Sequence, residues 1–119
     1  MIIYYAHFRG LYYTHQEKRD LATIRKIFPE ADIINPSEPQ YQKGFITSGL
    51  KMEYFLGLVR EADLLIFRGL VNGKIGAGCW AEIQEAREKG IPVLELPGFV
   101  GRETSVEDTE QMLKELGRI

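Results

Sequence analysis

At 119 residues, the chain reads as a single domain over residues 1–119, long enough for a core of four or five strands with covering helices and too short for a second core. An apolar fraction of 45% and a charged fraction of 27% exclude a disordered chain. A formal net charge of -2 supplies no basic field of the kind that sequence-independent nucleic-acid binding needs, so nucleic acid is not an expected partner.

The start Met1-Ile2-Ile3-Tyr4-Tyr5-Ala6 has no basic region and no long apolar run, so neither a signal peptide nor a membrane span is expected. The one cysteine, Cys79, cannot form an internal disulfide, and a reducing cytoplasm is the default location. The two histidines, His7 and His15, lie far from it in sequence, and no metal or other cofactor is called for by any cluster. A free cysteine is most often a small buried hydrophobe, and Cys79 is read as that.

Along the chain, Ile2 to Ala6 reads as a buried strand, followed by a loop from His7 to His15 rich in aromatic and basic residues. Leu21, Ile24, Ile27 and Phe28 recur at helical spacing and predict a helix from Gln16 to Phe28, stopped by Pro29. Ala31 to Ile34 is a second strand. The segment Ser37 to Phe45, with its proline, glycine and polar residues, is expected to be a loop long enough to cover a site. Met52, Phe55, Leu56 and Val59 form the apolar stripe of a helix running roughly from Ser48 to Glu61, with Ser48 as a plausible N-cap. Asp63 to Phe67 is a third strand. Cys79, Ile83 and Ala86 lie along a helix that follows a glycine loop and ends at Lys89-Gly90. Ile91 to Leu96 makes a fourth strand before Pro97-Gly98, and Ser105 to Leu116 reads as a last amphipathic helix.

Strands alternating with helices predict an α/β three-layer sandwich: a parallel sheet of four or five strands, helices on both faces, flavodoxin- or Rossmann-like, in the order 2-1-3-4. Ligands of such sheets lie beyond the carboxyl ends of the strands where the order reverses, here between strands one and three. That brings the loop His7 to His15 against the loop Arg68 to Gly78.

The candidate chemistry gathers in those two segments. Gly76-Ala77-Gly78-Cys79-Trp80-Ala81-Glu82 puts exposed backbone N–H groups at a helix start, where negative charge is favoured, and is expected to hold Glu82 ionised in the first turn as a competent nucleophile. The plainer reading of Glu82 is a helix-capping carboxylate. Tyr4 is either a core aromatic or a phenol that hydrogen-bonds Glu82 and orients it. Arg9-Gly10 and Arg68-Gly69 lie on opposite sides of the expected crevice, where two guanidinium groups could clamp a phosphate; solvated loop arginines are the alternative. His7 is a general acid or base near neutral pH, or a hydrogen-bonded structural histidine. Tyr5, Phe8, Tyr12 and Tyr13 could stack a planar base or simply pack the loop. Asn72-Gly73-Lys74-Ile75-Gly76 resembles a degenerate phosphate loop, but without Gly-Lys-Ser or Gly-Lys-Thr it is not a P-loop NTPase.

At Ile3-Tyr4-Tyr5-Ala6 and Gly78-Cys79-Trp80-Ala81-Glu82-Ile83, continued by Ala86 and Gly90-Ile91-Pro92-Val93, the chain resembles the nucleoside 2-deoxyribosyltransferase-like family. The resemblance implies that Glu82 attacks the anomeric carbon of a nucleoside to form a covalent glycosyl-enzyme, that water or a second base resolves it, and that Tyr4 supports the nucleophile. Glycosidic cleavage through an oxocarbenium-like state stabilised by a carboxylate suits these residues. Arg9-Gly10 also resembles the arginine-glycine turn of deoxynucleoside 5'-monophosphate N-hydrolases, which holds the phosphate. Two departures stand out: from Arg68 to Cys79 there is no acidic residue to protonate the leaving base, and His7 occupies a position the family gives to a glycine-type residue.

The expected site is thus Glu82 and Tyr4 as catalytic residues, with His7, Arg9, Gly10, Arg68, Gly76 and Gly78 binding a nucleoside or nucleotide. The alternatives are a nucleotide-binding or sensing module of the same fold that lacks the chemistry, and an oligomeric protein of structural role. Tyr12, Tyr13, Phe45 and Phe99 would leave an apolar patch in water, so a homo-oligomer, dimer or higher, is expected.

Overall fold

The computed structural model describes residues 1–70 and 74–96. Strands β1 (Ile2–His7), β2 (Asp32–Ile34), β3 (Leu64–Arg68) and β4 (Val93–Glu95) form an all-parallel sheet in the order β2-β1-β3-β4. Helices α1 (His15–Ile27), α2 (Pro39–Ser48), α3 (Met52–Arg60) and α4 (Ala77–Glu88) connect and cover them. This is the α/β, Rossmann-like arrangement and strand order that the alternating pattern predicts.

Register explains how the two faces differ. Ile3 pairs with Leu64 and Tyr5 with Ile66, while Tyr4 pairs with Leu65 and Ala6 with Phe67. Successive side chains of a strand point to opposite faces. Ile3, Tyr5, Leu64 and Ile66 therefore pack with Ile24 of α1 on one side. Tyr4, Ala6, Leu65 and Phe67 pack with Val59 of α3 and with Cys79, Trp80, Ile83 and Ala86 of α4 on the other. Both central strands are buried on both faces, as their near-continuous apolar runs require. Truncating a fully buried side chain such as Ile83 to alanine would cost about 2–5 kcal/mol.

Helix boundaries follow local chemistry. Thr14 caps α1 by accepting the Glu17 N–H at 3.3 Å, and the Glu17 carboxylate reaches back to the Tyr13 N–H at 3.2 Å. The ring of Pro29 keeps Phe28 out of the helical region, and α1 ends at Ile27.

Two expectations are corrected. The segment Ser37 to Phe45 is mostly helical, since α2 starts with Pro39 at its first turn, where a missing N–H costs no hydrogen bond. Ser48 then closes α2 instead of capping the next helix: Gly49 adopts φ 68° and turns the chain, and α3 begins only at Met52. The expected helix from Ser105 to Leu116, the break at Pro97-Gly98, Phe99, and Asn72-Gly73 lie outside the described residues. Among the described residues no helix is long and apolar enough to cross a membrane.

Candidate active site

A cavity of about 360 Å³ opens at the carboxyl end of the sheet, beside the reversal of strand order between β1 and β3. That volume lies within the range of small-molecule sites. His7, Phe8, Arg9 and Tyr12 line it from the segment that leaves β1; Gln42, Phe45, Met52 and Phe55 line it from α2 and α3. Gly76, Ala77, Gly78, Cys79 and Glu82 contribute the start of α4. Phe45 stacks on Phe55 with ring centres 4.9 Å apart, so the α2–α3 wall is aromatic with the Met52 thioether beside it.

Glu82 is the one carboxylic acid among the described lining residues, and the Tyr4 hydroxyl donates a hydrogen bond to its Oε2. The pair joins β1 to α4 across 78 residues of sequence. Tyr4 is fully buried and Glu82 is 5% exposed. The expectation that a helix start would hold Glu82 ionised in the first turn is corrected. Glu82 is the sixth residue of a helix that begins at Ala77, so it lies in the second turn, where the favourable end field has faded. Burial pushes its carboxyl up to about 8, against the pull of the Tyr4 hydrogen bond toward the charged form. Burial, with the neighbouring Glu82, also raises the Tyr4 phenol well above its ordinary range, so Tyr4 keeps its proton and acts as a donor.

His7 lies at the cavity, but its side chain is fully buried and both of its nitrogens are engaged. Nδ1 lies 3.2 Å from the Tyr5 carbonyl oxygen, and Nε2 lies 2.7 Å from Glu17 Oε2. A carbonyl only accepts, so Nδ1 donates, and Nε2 faces the Glu17 carboxyl. The ring stacks on Tyr5 at 3.9 Å, and burial lowers its pKa while Glu17 pulls the other way. This is the hydrogen-bonded structural histidine rather than a free acid or base.

The opposed pair of arginines is not formed. Arg68 follows Ile66 by two residues and so shares its face, turned toward α1. There its Nε and Nη2 donate to the Asp20 carboxylate at 3.0 and 2.5 Å, a two-point pairing. Asp20 also accepts from the Tyr5 hydroxyl at 2.6 Å and from Gln16 Nε2 at 2.8 Å. Arg68 is 8% exposed and does not line the cavity, whereas Arg9 is exposed at its rim. Gly10 is not a lining residue either; a side chain there would collide with the Phe8 ring, so its role is to let that ring fold over the short helical turn Arg9–Leu11.

Gly76 and Gly78 do line the cavity. A side chain at Gly76 would meet Phe8 at 3.2 Å, and one at Gly78 would touch Met52 at 3.9 Å, so the glycines keep the start of α4 open between those two residues. Tyr13 is 70% exposed and donates to the Ser37 carbonyl at 2.6 Å, while Tyr12 and Phe45 are half-buried in the site. Gln42 had no sequence signal, because its segment reads as a loop. The Met52–Phe55 stripe is visible in sequence only as core. Among the described residues no group of three or more metal-binding side chains is placed to hold an ion.

Comparison with known protein families, characterised proteins and solved structures found no match.

Proposed function

We propose that the chain breaks the N-glycosidic bond of a nucleoside-sized ligand, with Glu82 as nucleophile toward the anomeric carbon and Tyr4 as the residue that positions it. The observation carrying this reading is the Tyr4–Glu82 hydrogen bond, buried beneath a cavity whose remaining walls are largely aromatic. A carboxyl steered by a phenol is fixed in orientation, and the aromatic residues of α2, α3 and the loop after β1 suit a planar base. Arg9 at the rim and the open N–H groups of Gly76 to Gly78 suit the polar sugar side of such a ligand.

The reading is tested by incubating the protein with nucleosides, 2'-deoxynucleosides and their 5'-monophosphates, with and without acceptor bases, and measuring released or exchanged base by chromatography. Turnover lost in Glu82→Gln is the expected result. Full activity in that variant would remove Glu82 from the chemistry.

A second reading is favoured by one observation. With its carboxyl pushed up to about 8, only about a tenth of Glu82 is ionised at neutral pH in the free protein, and a protonated carboxyl is no nucleophile. A module that binds a nucleotide without turnover would be compatible with that state. Saturable binding with no base release over the whole panel, from neutral to alkaline pH, would decide for it.

A further inference from the structure

Resting on the glycosidic reading, we infer that the substrate is an N-glycoside of a cationic heteroaromatic base, a pyridinium nucleoside or a nucleoside of an N7-alkylated purine. Three observations of the cavity lead there. Its single described carboxyl, Glu82, is buried next to walls whose other described residues carry no formal charge except Arg9. Phe45, Phe55 and Met52 line the part built by α2 and α3 beside the uncharged Gln42, a largely aromatic setting that suits a flat cation. Arg9 opposes a cation, but it is solvent-exposed at the rim, where water and salt weaken its field.

The third observation concerns the proton. An ordinary nucleobase leaves well only when protonated, and with Glu82 engaged as the nucleophile the other described lining residues supply no suitable acid. His7 has both nitrogens committed to Tyr5 and Glu17. Burial makes the Tyr12 phenol and the Cys79 thiol weaker acids than usual. A cationic base needs no acid. When the C1'–N bond breaks, its electron pair cancels the positive charge on the ring nitrogen and the base departs neutral. A cation beside Glu82 also favours the ionised carboxylate, so binding expels the Glu82 proton to solvent and arms the nucleophile in one event. An electron pair of the carboxylate then forms the C1'–O bond. Water attacks C1' next, the ester bond breaks, the carboxylate is restored and a proton of the water leaves with solvent; once the products depart, Glu82 takes back the proton it lost on binding. The sum is cationic nucleoside plus water giving neutral base, free sugar and one proton.

The test compares the riboside of nicotinamide and N7-methylguanosine with two uncharged counterparts, the 1,4-dihydro form of the same riboside and guanosine, as ribosides and 2'-deoxyribosides. Base release is followed by chromatography, and binding by calorimetry at several pH values. The expected result is release from the cations at least about tenfold faster than from the neutral partners, with affinity for the cations rising about tenfold per pH unit between roughly pH 6 and 7 as Glu82 must ionise. Glu82→Gln should abolish release and flatten that pH dependence. Equal or faster release from the neutral nucleosides would overturn the inference and leave the glycosidic function standing. Release from none of them would overturn both, and wild-type affinity independent of pH would overturn the coupling of binding to the Glu82 proton even if the variant failed to fold.

Discussion

Replacing Glu82 with glutamine should remove a pH dependence of stability that the native chain carries. The carboxyl titrates at about 8 in the folded protein and near 4.5 when unfolded. Below the unfolded value both states hold the proton and the native contribution is intact. As pH rises, the unfolded chain releases its proton first, so stability declines until the folded value is passed. Between roughly pH 5.5 and about pH 8 this single group removes about 3 kcal/mol, from the ratio of the two titrations with 1.36 kcal/mol per pH unit. Glutamine has nearly the same shape, no titration, and an amide oxygen that accepts the Tyr4 hydroxyl. Urea unfolding followed by the fluorescence of Trp80, the one tryptophan and a buried one, reads the effect directly. Other titrating groups cancel in the difference between wild type and variant. That difference should move by about 3 kcal/mol toward the variant across this window. A difference curve flat to within about 0.5 kcal/mol would refute the reasoning, because Glu82 would then ionise in the folded state as easily as in water.

Three further outcomes are expected. On the proposed glycosidic function, Tyr4→Phe removes the hydrogen bond that favours ionised Glu82, so base release should fall about tenfold to a hundredfold and the acid limb of the kcat/KM profile should move to higher pH; an unmoved limb would separate Tyr4 from Glu82. Asp20→Ala leaves the Arg68 guanidinium buried without its carboxylate and should cost about 3–5 kcal/mol in urea unfolding, much of it recovered by adding Arg68→Met; a loss under about 1 kcal/mol would show that Arg68 finds water instead. Lys51→Gly should stabilise the chain by about 1 kcal/mol, since Lys51 holds φ 56° and ψ -135°, a region open to glycine and strained for other residues, and a loss of stability would show that the lysine side chain outweighs the strain.

The sheet and its strand order were legible because β1 and β3 are apolar runs separated by helix-period segments, a pattern that admits few other folds. The meeting of Tyr4 and Glu82 was legible as well, since strand order alone sets the end of β1 beside the start of α4. The place of Arg68 was not. A loop arginine and a strand arginine look alike in sequence, and its face depends on where the strand ends; β3 runs through Arg68 rather than stopping at Phe67. The available clue was Asp20, which shares a helical stripe with Glu17 and Ile24 and so carries charge into the α1 face. The protonation of Glu82 was hidden for a related reason. Helix-end fields can be read from spacing, whereas desolvation depends on what chains far away in sequence pack over a side chain. The α2 wall went unseen because proline and glycine suggest a loop, although Pro39 occupies the one helical turn that tolerates it.

The cavity draws its parts from elements with different structural obligations. Tyr4 and Glu82 sit on β1 and α4, which lie within the main core, so few substitutions there leave the fold unharmed. Helix α2 leans chiefly on α3, reached through the turn at Gly49, and supplies Gln42 and Phe45. Mutational tolerance is therefore uneven around one ligand. A lineage or a designer can exchange the α2 side of the pocket to accept a different ligand while Tyr4 and Glu82 stay in place, so new selectivity is reachable by single steps without passing through unfolded intermediates.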